Sequence, residues 1–451
     1  MVQNVIIDEF RSKFGRSPEF IVIAPGRVNL IGEHTDYNGF PVMPISISFS
    51  ITAAVSARKD KMISVFNRNN GFSPAEFEIE KEIIPSPEGH WTNYIKAAVS
   101  KFANELHSNL HGMDAFFDGN IPASAGLSSS SALVIASALS LLAVNSIKLP
   151  AIEIAEMMAE GERYVGTQGG GMDQAICLLG KEKKSVKIDF FPLRCAYYPF
   201  PADCSVIVAH SLIRSAKTEN ALLKYNRRPA ECRLATAMIN SLHPVNPRLK
   251  RLGDLPRQDF YTQFKNIDDF VDDTFPFQSY SLKDIATVTG DTSESLTMKY
   301  LLTRHGIPMP EPENGFLIRQ RVLHILTEAE RVQMSCEALR NRDAATFGKL
   351  MNESHESCDV NYGISTPELN ALTSIMRDTG AFGARLTGAG FGGCAIALAR
   401  DTDISKIMES VRELYYGKYL SDSHPELSTE NKRGNILFSA KPAQGAVVQP
   451  L

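Results

Sequence analysis

No stretch of this chain stays apolar for the roughly 18 residues that a membrane-spanning helix needs. The nearest, SALVIASALSLLAVNSI at 131–147, is broken by serines and reads as a buried helix. An excess of charge of either sign is missing too. With 47 basic against 51 acidic residues and a net charge of −4, no global field exists to hold a nucleic-acid backbone or an anionic membrane, so any anionic ligand must be gripped locally. The seven cysteines, at 177, 195, 204, 232, 336, 358 and 394, are odd in number, widely spaced and free of any C-x-x-C pair. That argues against a disulfide framework or a thiolate zinc site and for a reducing compartment, the cytoplasm. The opening segment MVQNVIIDEFRSKFGRSPEF lacks the uninterrupted apolar core of a signal peptide and reads as an amphipathic surface helix.

What is present is ordinary globular composition, 43% hydrophobic and 22% charged over 451 residues, enough for two or three domains with their own cores. Alternation and β-branched content predict strands at 20–30, 41–57, 62–68 and 75–80, and helical spacing predicts a helix over 93–106. A strand, a Gly/Ser loop and a long apolar helix follow from residue 114, then a helix in AIEIAEMMAEGERYV, and strands at 185–193 and 204–211. The Pro-rich piece between those last two strands marks the expected domain divide, giving domains of 1–195 and 196–451. Residues 241–315, rich in Pro, Asp and Lys, read as an insert of connecting helices and loops. The chain then turns helical over 316–378 and closes with a strand, a glycine turn and a strand in ARLTGAGFGGCAIALA, a helix at 404–416 and a terminal strand in GNILFSAKP. Helices and strands mixed without regular βαβ alternation indicate an α+β fold.

Three glycine-rich segments raise the prospect of phosphate binding, because glycine lets backbone N–H groups approach an anion. PASAGLSSSSA at 122–132 sits directly before the long helix, so loop amides and a helix N-terminus converge on one point. It is not a Walker loop, since no Gly-Lys-Ser/Thr follows, while its serine hydroxyls suit a hard cation such as Mg²⁺. TGAGFGGCAIAL at 387–398 contains a formal G-x-G-x-x-G, but a β-like run follows where a dinucleotide site demands a helix, so a closely packed glycine hairpin is the better account. In GGGMDQ at 169–174, Asp173 is either a helix cap or a catalytic carboxylate. Glu162 lies eleven residues upstream as a second carboxylate, with Glu160 competing. The segment PGRVNLIGEHTDYNG at 25–39 packs Arg27, Glu33, His34 and Asp36 into one loop. Carboxylates and a histidine accept from several hydroxyls at once, which is how a neutral polyol is read, and Arg27 suits charge near a transferred phosphoryl group.

Taken in order, GRVNLIGEHTDYNG, PASAGLSSSSALVIAS, GGGMDQ and RLTGAGFGGC resemble the signature of the galactokinases and the shared motifs of the galactokinase, homoserine kinase, mevalonate kinase and phosphomevalonate kinase superfamily. The resemblance runs from about residue 20 to the end. It implies a two-domain GHMP kinase fold, an N-terminal domain like the second domain of ribosomal protein S5 and a ferredoxin-like C-terminal domain, with the active site between them. It implies transfer of the γ-phosphoryl group of ATP to the anomeric hydroxyl of galactose with Mg²⁺, by a monomer in the cytoplasm, with no nucleic-acid or membrane partner. Carried over residue by residue, Asp173 and Arg27 match the catalytic pair, and Glu33, His34, Asp36, Gly170 and Tyr225 the sugar contacts. Gly126, Leu127, Ser128, Ser129 and Ser130 match the phosphate loop, Ser130 and Glu162 the magnesium ligands, and Trp91 a tryptophan near adenine. Two departures stand out. Position 161, twelve before the aspartate, is Gly, and Glu162 takes the spacing of mevalonate kinases; and RRPAECRLATAM with the 241–315 insert is similar to the N-acetylgalactosamine kinase branch, whereas Tyr225 fits the galactose kinases. A non-catalytic galactose and ATP sensor would carry the same binding motifs.

Overall fold

The computed structural model describes residues 2–87, 89–106, 109–122, 126–165, 169–213, 219–303, 306–427 and 436–451. Of the expected phosphate loop, residues 123–125 lie outside that set, as do 166–168 before the second glycine run.

The first half carries α1 (Val2–Phe14), β1 (Phe20–Ile31), β2 (Met43–Ala57), β3 (Met62–Asn67), β4 (Ala75–Glu78), α2 (Thr92–Glu105), β5 (Met113–Gly119), α3 (Ser129–Val144), α4 (Ala151–Gly161), α5 (Met172–Leu179), β6 (Lys184–Asp189) and β7 (Arg194–Pro199). The second half carries β8 (Cys204–His210), α6 (Glu219–Leu242), α7 (Ile267–Thr274), α8 (Leu282–Thr289), α9 (Ser293–Tyr300), α10 (Ile318–Arg340), α11 (Ala344–Val360), α12 (Pro367–Asp378), β9 (Gly383–Thr387), β10 (Cys394–Arg400), α13 (Ile404–Ser410), α14 (Leu420–Ser423), β11 (Leu437–Ala440) and β12 (Val447–Pro450). The helix expected at 404–416 runs from α13 straight into a π-helical stretch, Val411–Tyr419.

Two sheets organise the molecule. The first has the order β12-β1-β2-β5-β3-β4, antiparallel except between β3 and β5. α1 lays Ile6 and Phe10 against Phe116 and Ile21, which matches the amphipathic reading of the N-terminus. α3 is apolar nearly all round, and its buried residues run from Ser131 to Leu142, because it packs against β1 and β2 on one side and α2 and α5 on others. The second sheet has the order β11-β8-β10-β9, antiparallel throughout. With helices between β8 and β9 and between β10 and β11, that is the ferredoxin-like arrangement.

Two boundaries differ from expectation. The strand expected at 185–193 stops at Asp189, because Phe191 takes a left-handed φ of 58° and Pro192 has no N–H for a ladder. The chain returns as β7, bonded to β6 along its length, so the divide expected between 195 and 196 falls inside a hairpin. The short final strand β12, too brief and too rich in polar and proline residues to announce itself, edges the first sheet beside β1. The 241–315 insert does form helices. Asn266, Ser281 and Thr292 accept backbone N–H groups as caps of α7, α8 and α9, a local signal that weak periodicity hid.

Candidate active site

The ladder between β1 and β2 slips between Pro25 and Arg27, and such bulges re-aim a side chain. Arg27 stays in the ladder opposite Ser46, and its side chain bridges two segments. Its Nε donates to Asp173 Oδ1 at 2.7 Å and its Nη2 to Oδ2 at 2.9 Å, while Nη1 donates to the Gly126 carbonyl. Two parallel charge-assisted bonds fix both planes. The Arg27 side chain is 7% exposed and that of Asp173 26%, so the carboxylate is the more open member of the pair. Asp173 stands in the first turn of α5 without capping it; its Oδ2 also accepts from Ser128 Oγ. The capping alternative is thereby removed.

The phosphate-loop residues meet the same pair. Leu127 is buried and its carbonyl accepts from Arg27 N at 3.2 Å. Ser128, in a left-handed conformation with φ 58°, precedes α3, and Ser129 and Ser130 open it half-buried, where the first-turn amides have no intrahelical partner. The glycine hairpin between β9 and β10 lies directly on this loop, as its composition led one to expect. A Cβ on Gly388, whose φ is +84°, would come within 2.8 Å of the Gly126 carbonyl.

The sugar-signature residues fall into two groups. Asp36 accepts from Gly170 N at 3.1 Å, and the contact admits no side chain at 170, where a Cβ would stand 2.4 Å from Tyr37 N. Burial, with the Asp173 charge nearby as a lesser cause, lifts Asp36 to about 6. Tyr225 on α6 brings its ring 5.5 Å from His34, and burial pushes its phenol well up. His34 and Glu33 are more committed than expected. Burial drops His34 to about 3, so the ring is neutral. Its Nε2 meets the Ala389 carbonyl at 3.2 Å and its Nδ1 the Tyr37 hydroxyl at 2.8 Å. A carbonyl only accepts, so Nε2 carries the hydrogen and Nδ1 accepts from Tyr37, whose oxygen is 2.7 Å from Tyr362 Oη. Both His34 nitrogens are thus engaged, by the Ala389 carbonyl and the Tyr37 hydroxyl. Glu33 Oε2 accepts from Arg385 Nη1 at 3.0 Å in a pair that is almost wholly buried.

On the cation side, Glu162 follows α4 and accepts from Ser131 Oγ at 2.6 Å. Burial raises it to about 7, against the opposing pull of that bond. Glu160 points outward to Lys101 at 2.7 Å and is 60% exposed, so it does not compete. Ser128 and Ser131 share a face of the helix start, which puts Ser131 rather than Ser130 on the glutamate. Among the described residues no cluster of three His, Cys, Asp or Glu side chains is set to hold a metal. Trp91, matched by the resemblance to a tryptophan near adenine, is 5% exposed, packs on Phe72 and Phe117 and donates Nε1–H to the Ser73 carbonyl at 2.9 Å.

Sequence reading missed Tyr37 within the loop and Arg385, Tyr362, His324 and Glu328, which bond or pack against it from elsewhere in the chain. Arg385 opens the RLTGAG motif and so carried a signal; His324 and Glu328, four apart on a long charged helix, looked solvated.

A family model described as the galactokinase galactose-binding signature matches residues 8–57, and models for the GHMP kinase N-terminal and C-terminal domains match 93–181 and 336–417. A galactokinase of Dictyostelium discoideum is 33% identical over 96% of this chain and 91% of its own. The chain belongs to the galactokinase family. The galactokinase of Saccharomyces cerevisiae is 29% identical over 99% of this chain and 94% of its own. Among solved structures, a Lactococcus lactis galactokinase complexed with galactose superposes with a TM-score of 0.77 at 25% identity, over 99% of this chain and all of that one. A Methanococcus jannaschii mevalonate kinase, at 17% identity and a TM-score of 0.56, shares the fold. This galactokinase-family chain therefore has the α+β GHMP kinase fold, and among its described residues no helix is long and apolar enough to cross a membrane.

Proposed function

We propose that the protein transfers the γ-phosphoryl group of ATP to the anomeric hydroxyl of α-D-galactose, forming galactose 1-phosphate and ADP. The observation that carries this reading is the Arg27–Asp173 pair, bidentate and with its carboxylate the more exposed member, beside Asp36 of the sugar signature and the Gly170 it bonds. Asp173 takes the proton of the anomeric hydroxyl as its oxygen bonds to the γ-phosphorus and the bond from that phosphorus to the β,γ-bridging oxygen breaks. Arg27 holds the aspartate in place and sets positive charge beside the transferring group, where phosphoryl transfer gains most from electrostatic stabilisation. Amides of the α3 start, from Gly126 to Ser130, suit the polyphosphate.

Magnesium fits this site in a limited way. Bound nucleotide supplies most of its oxygens, and the cation then needs only one or two protein ligands; Glu162, with the Ser130 hydroxyl at the same helix start, would hold it. Mg²⁺ would neutralise phosphate charge. Seven free cysteines suit the cytoplasm.

The substrate is tested by ADP release from MgATP with galactose, N-acetylgalactosamine, glucose and mevalonate side by side. Turnover on galactose supports the reading. Turnover on N-acetylgalactosamine alone would make the 227–238 segment and the insert the better guides, and binding of both ligands without product would indicate a sensor.

A pH dependence follows from Asp36. Its carboxylate form accepts sugar hydroxyls, and in the free protein that form is lost as pH falls through about 6. Galactose affinity without nucleotide should therefore be flat above that value and fall by up to about tenfold per pH unit below it. Calorimetric titration from pH 5 to 7.5 reads this directly. A dependence that persists unchanged in Asp36→Asn would assign it to another group.

A further inference from the structure

α10 crosses from the second half of the chain behind the sugar-signature loop and turns two polar side chains onto it. Glu328 Oε1 accepts from Gly32 N at 2.8 Å and from Glu33 N at 3.2 Å, and also from Ser354 Oγ at 2.6 Å. Its Oε2 accepts from Arg331 Nε at 2.7 Å. One turn earlier, His324 Nε2 lies 3.1 Å from the Glu33 carbonyl and its Nδ1 2.9 Å from Ser357 Oγ on α11. Because the carbonyl can only accept, the hydrogen sits on Nε2, and Nδ1 accepts from the serine. Both side chains are wholly buried. The N–H and C=O of residue 33 are thus each held by α10, and its carboxylate Oε2 by Arg385.

Such an arrangement is expensive as mere packing. A buried carboxylate and a buried neutral imidazole are commonly outperformed in stability by apolar side chains of similar volume. What apolar residues cannot do is fix the orientation of a peptide plane, and hydrogen bonds to the N–H and to the C=O of residue 33 fix the two planes that flank it. We propose that His324 and Glu328 are positioning residues for sugar binding: by holding the peptide planes on both sides of residue 33 they set the backbone of the sugar-signature loop, without touching the sugar themselves. The inference rests on the reading that residue 33 belongs to the sugar site.

The test uses two variants at one position. His324→Gln carries an amide nitrogen near the place of Nε2 and keeps a donor for the Glu33 carbonyl; His324→Asn carries one near Nδ1 and loses it. In the full-length protein, His324→Asn should weaken galactose binding about tenfold, the effect of one lost buried hydrogen bond, with KM for ATP unchanged. His324→Gln should stay within about threefold of the parent. A purely structural role would instead move both variants alike, together with their unfolding midpoints, and equal galactose affinities in the two would overturn the inference. Should His324→Asn fail to fold, Ser357→Ala releases the hydroxyl that holds the His324 tautomer. It should weaken galactose binding to a smaller degree, and parental affinity there overturns the inference. A parent protein that binds no galactose sinks the reading rather than the inference, and the pair is then compared on the sugar the parent phosphorylates.

Discussion

Asp173→Asn should bind galactose with an affinity close to that of the parent and turn over about 10²- to 10⁴-fold more slowly, the range that a positioned general base contributes. The amide is nearly isosteric and can still accept one Arg27 bond, so the pocket persists. It cannot take the hydroxyl proton, and it no longer balances the guanidinium, whose Nε and Nη2 both point at this side chain. Single-turnover kinetics with saturating MgATP, alongside a galactose titration, separate chemistry from binding. A variant with near-parental turnover would remove Asp173 from the chemistry; one that loses sugar binding as well would make its role chiefly structural.

Arg385→Met should cost about 3–5 kcal/mol of stability, the penalty for stripping one partner from a buried ion pair. Arg385 is 0% exposed. Its Nη1 donates to the Glu33 carboxylate at 3.0 Å and to the Asn29 carbonyl at 3.1 Å, and its Nη2 lies 3.6 Å from Cys358 Sγ. Without it, the Glu33 carboxyl, which burial already pushes upward against the lowering effect of Arg385, has no reason to stay ionised. The double variant Arg385→Met with Glu33→Gln should recover part of the lost stability, because the stranded charge is gone. Urea unfolding of the parent, the two single variants and the double closes the cycle. If the double variant is no more stable than Arg385→Met, the loss lies in packing rather than in the pair.

Most of the site's chemistry was legible because it sits in short local motifs. Arg27, Asp36 and Asp173 were singled out from residue type and glycine context, and the structure brings them within one cluster. The hairpin at 387–393 was correctly refused as a dinucleotide site on one local ground, a strand where a helix was required. What was misjudged concerns direction. Four consecutive serines are equivalent on paper, and only the phase of α3 turns Ser128 to Asp173 and Ser131 to Glu162. His34 carries two nitrogens able to bind hydroxyls, and only its neighbours Tyr37 and Ala389 show that both are taken.

By itself the sequence determined the α+β class, the order of most elements, the family and the residues of the proposed catalytic pair, because periodicity and glycine placement are local and leave marks within a few residues. Only the tertiary structure decided which atoms of those residues are available. Arg385 comes from β9, and His324 and Glu328 from α10; Glu33 is separated from Glu328 by 295 positions and from Arg385 by 352. A buried carboxylate at such a distance looks like any solvated helix charge until the fold withdraws water from it, and no local pattern encodes that withdrawal.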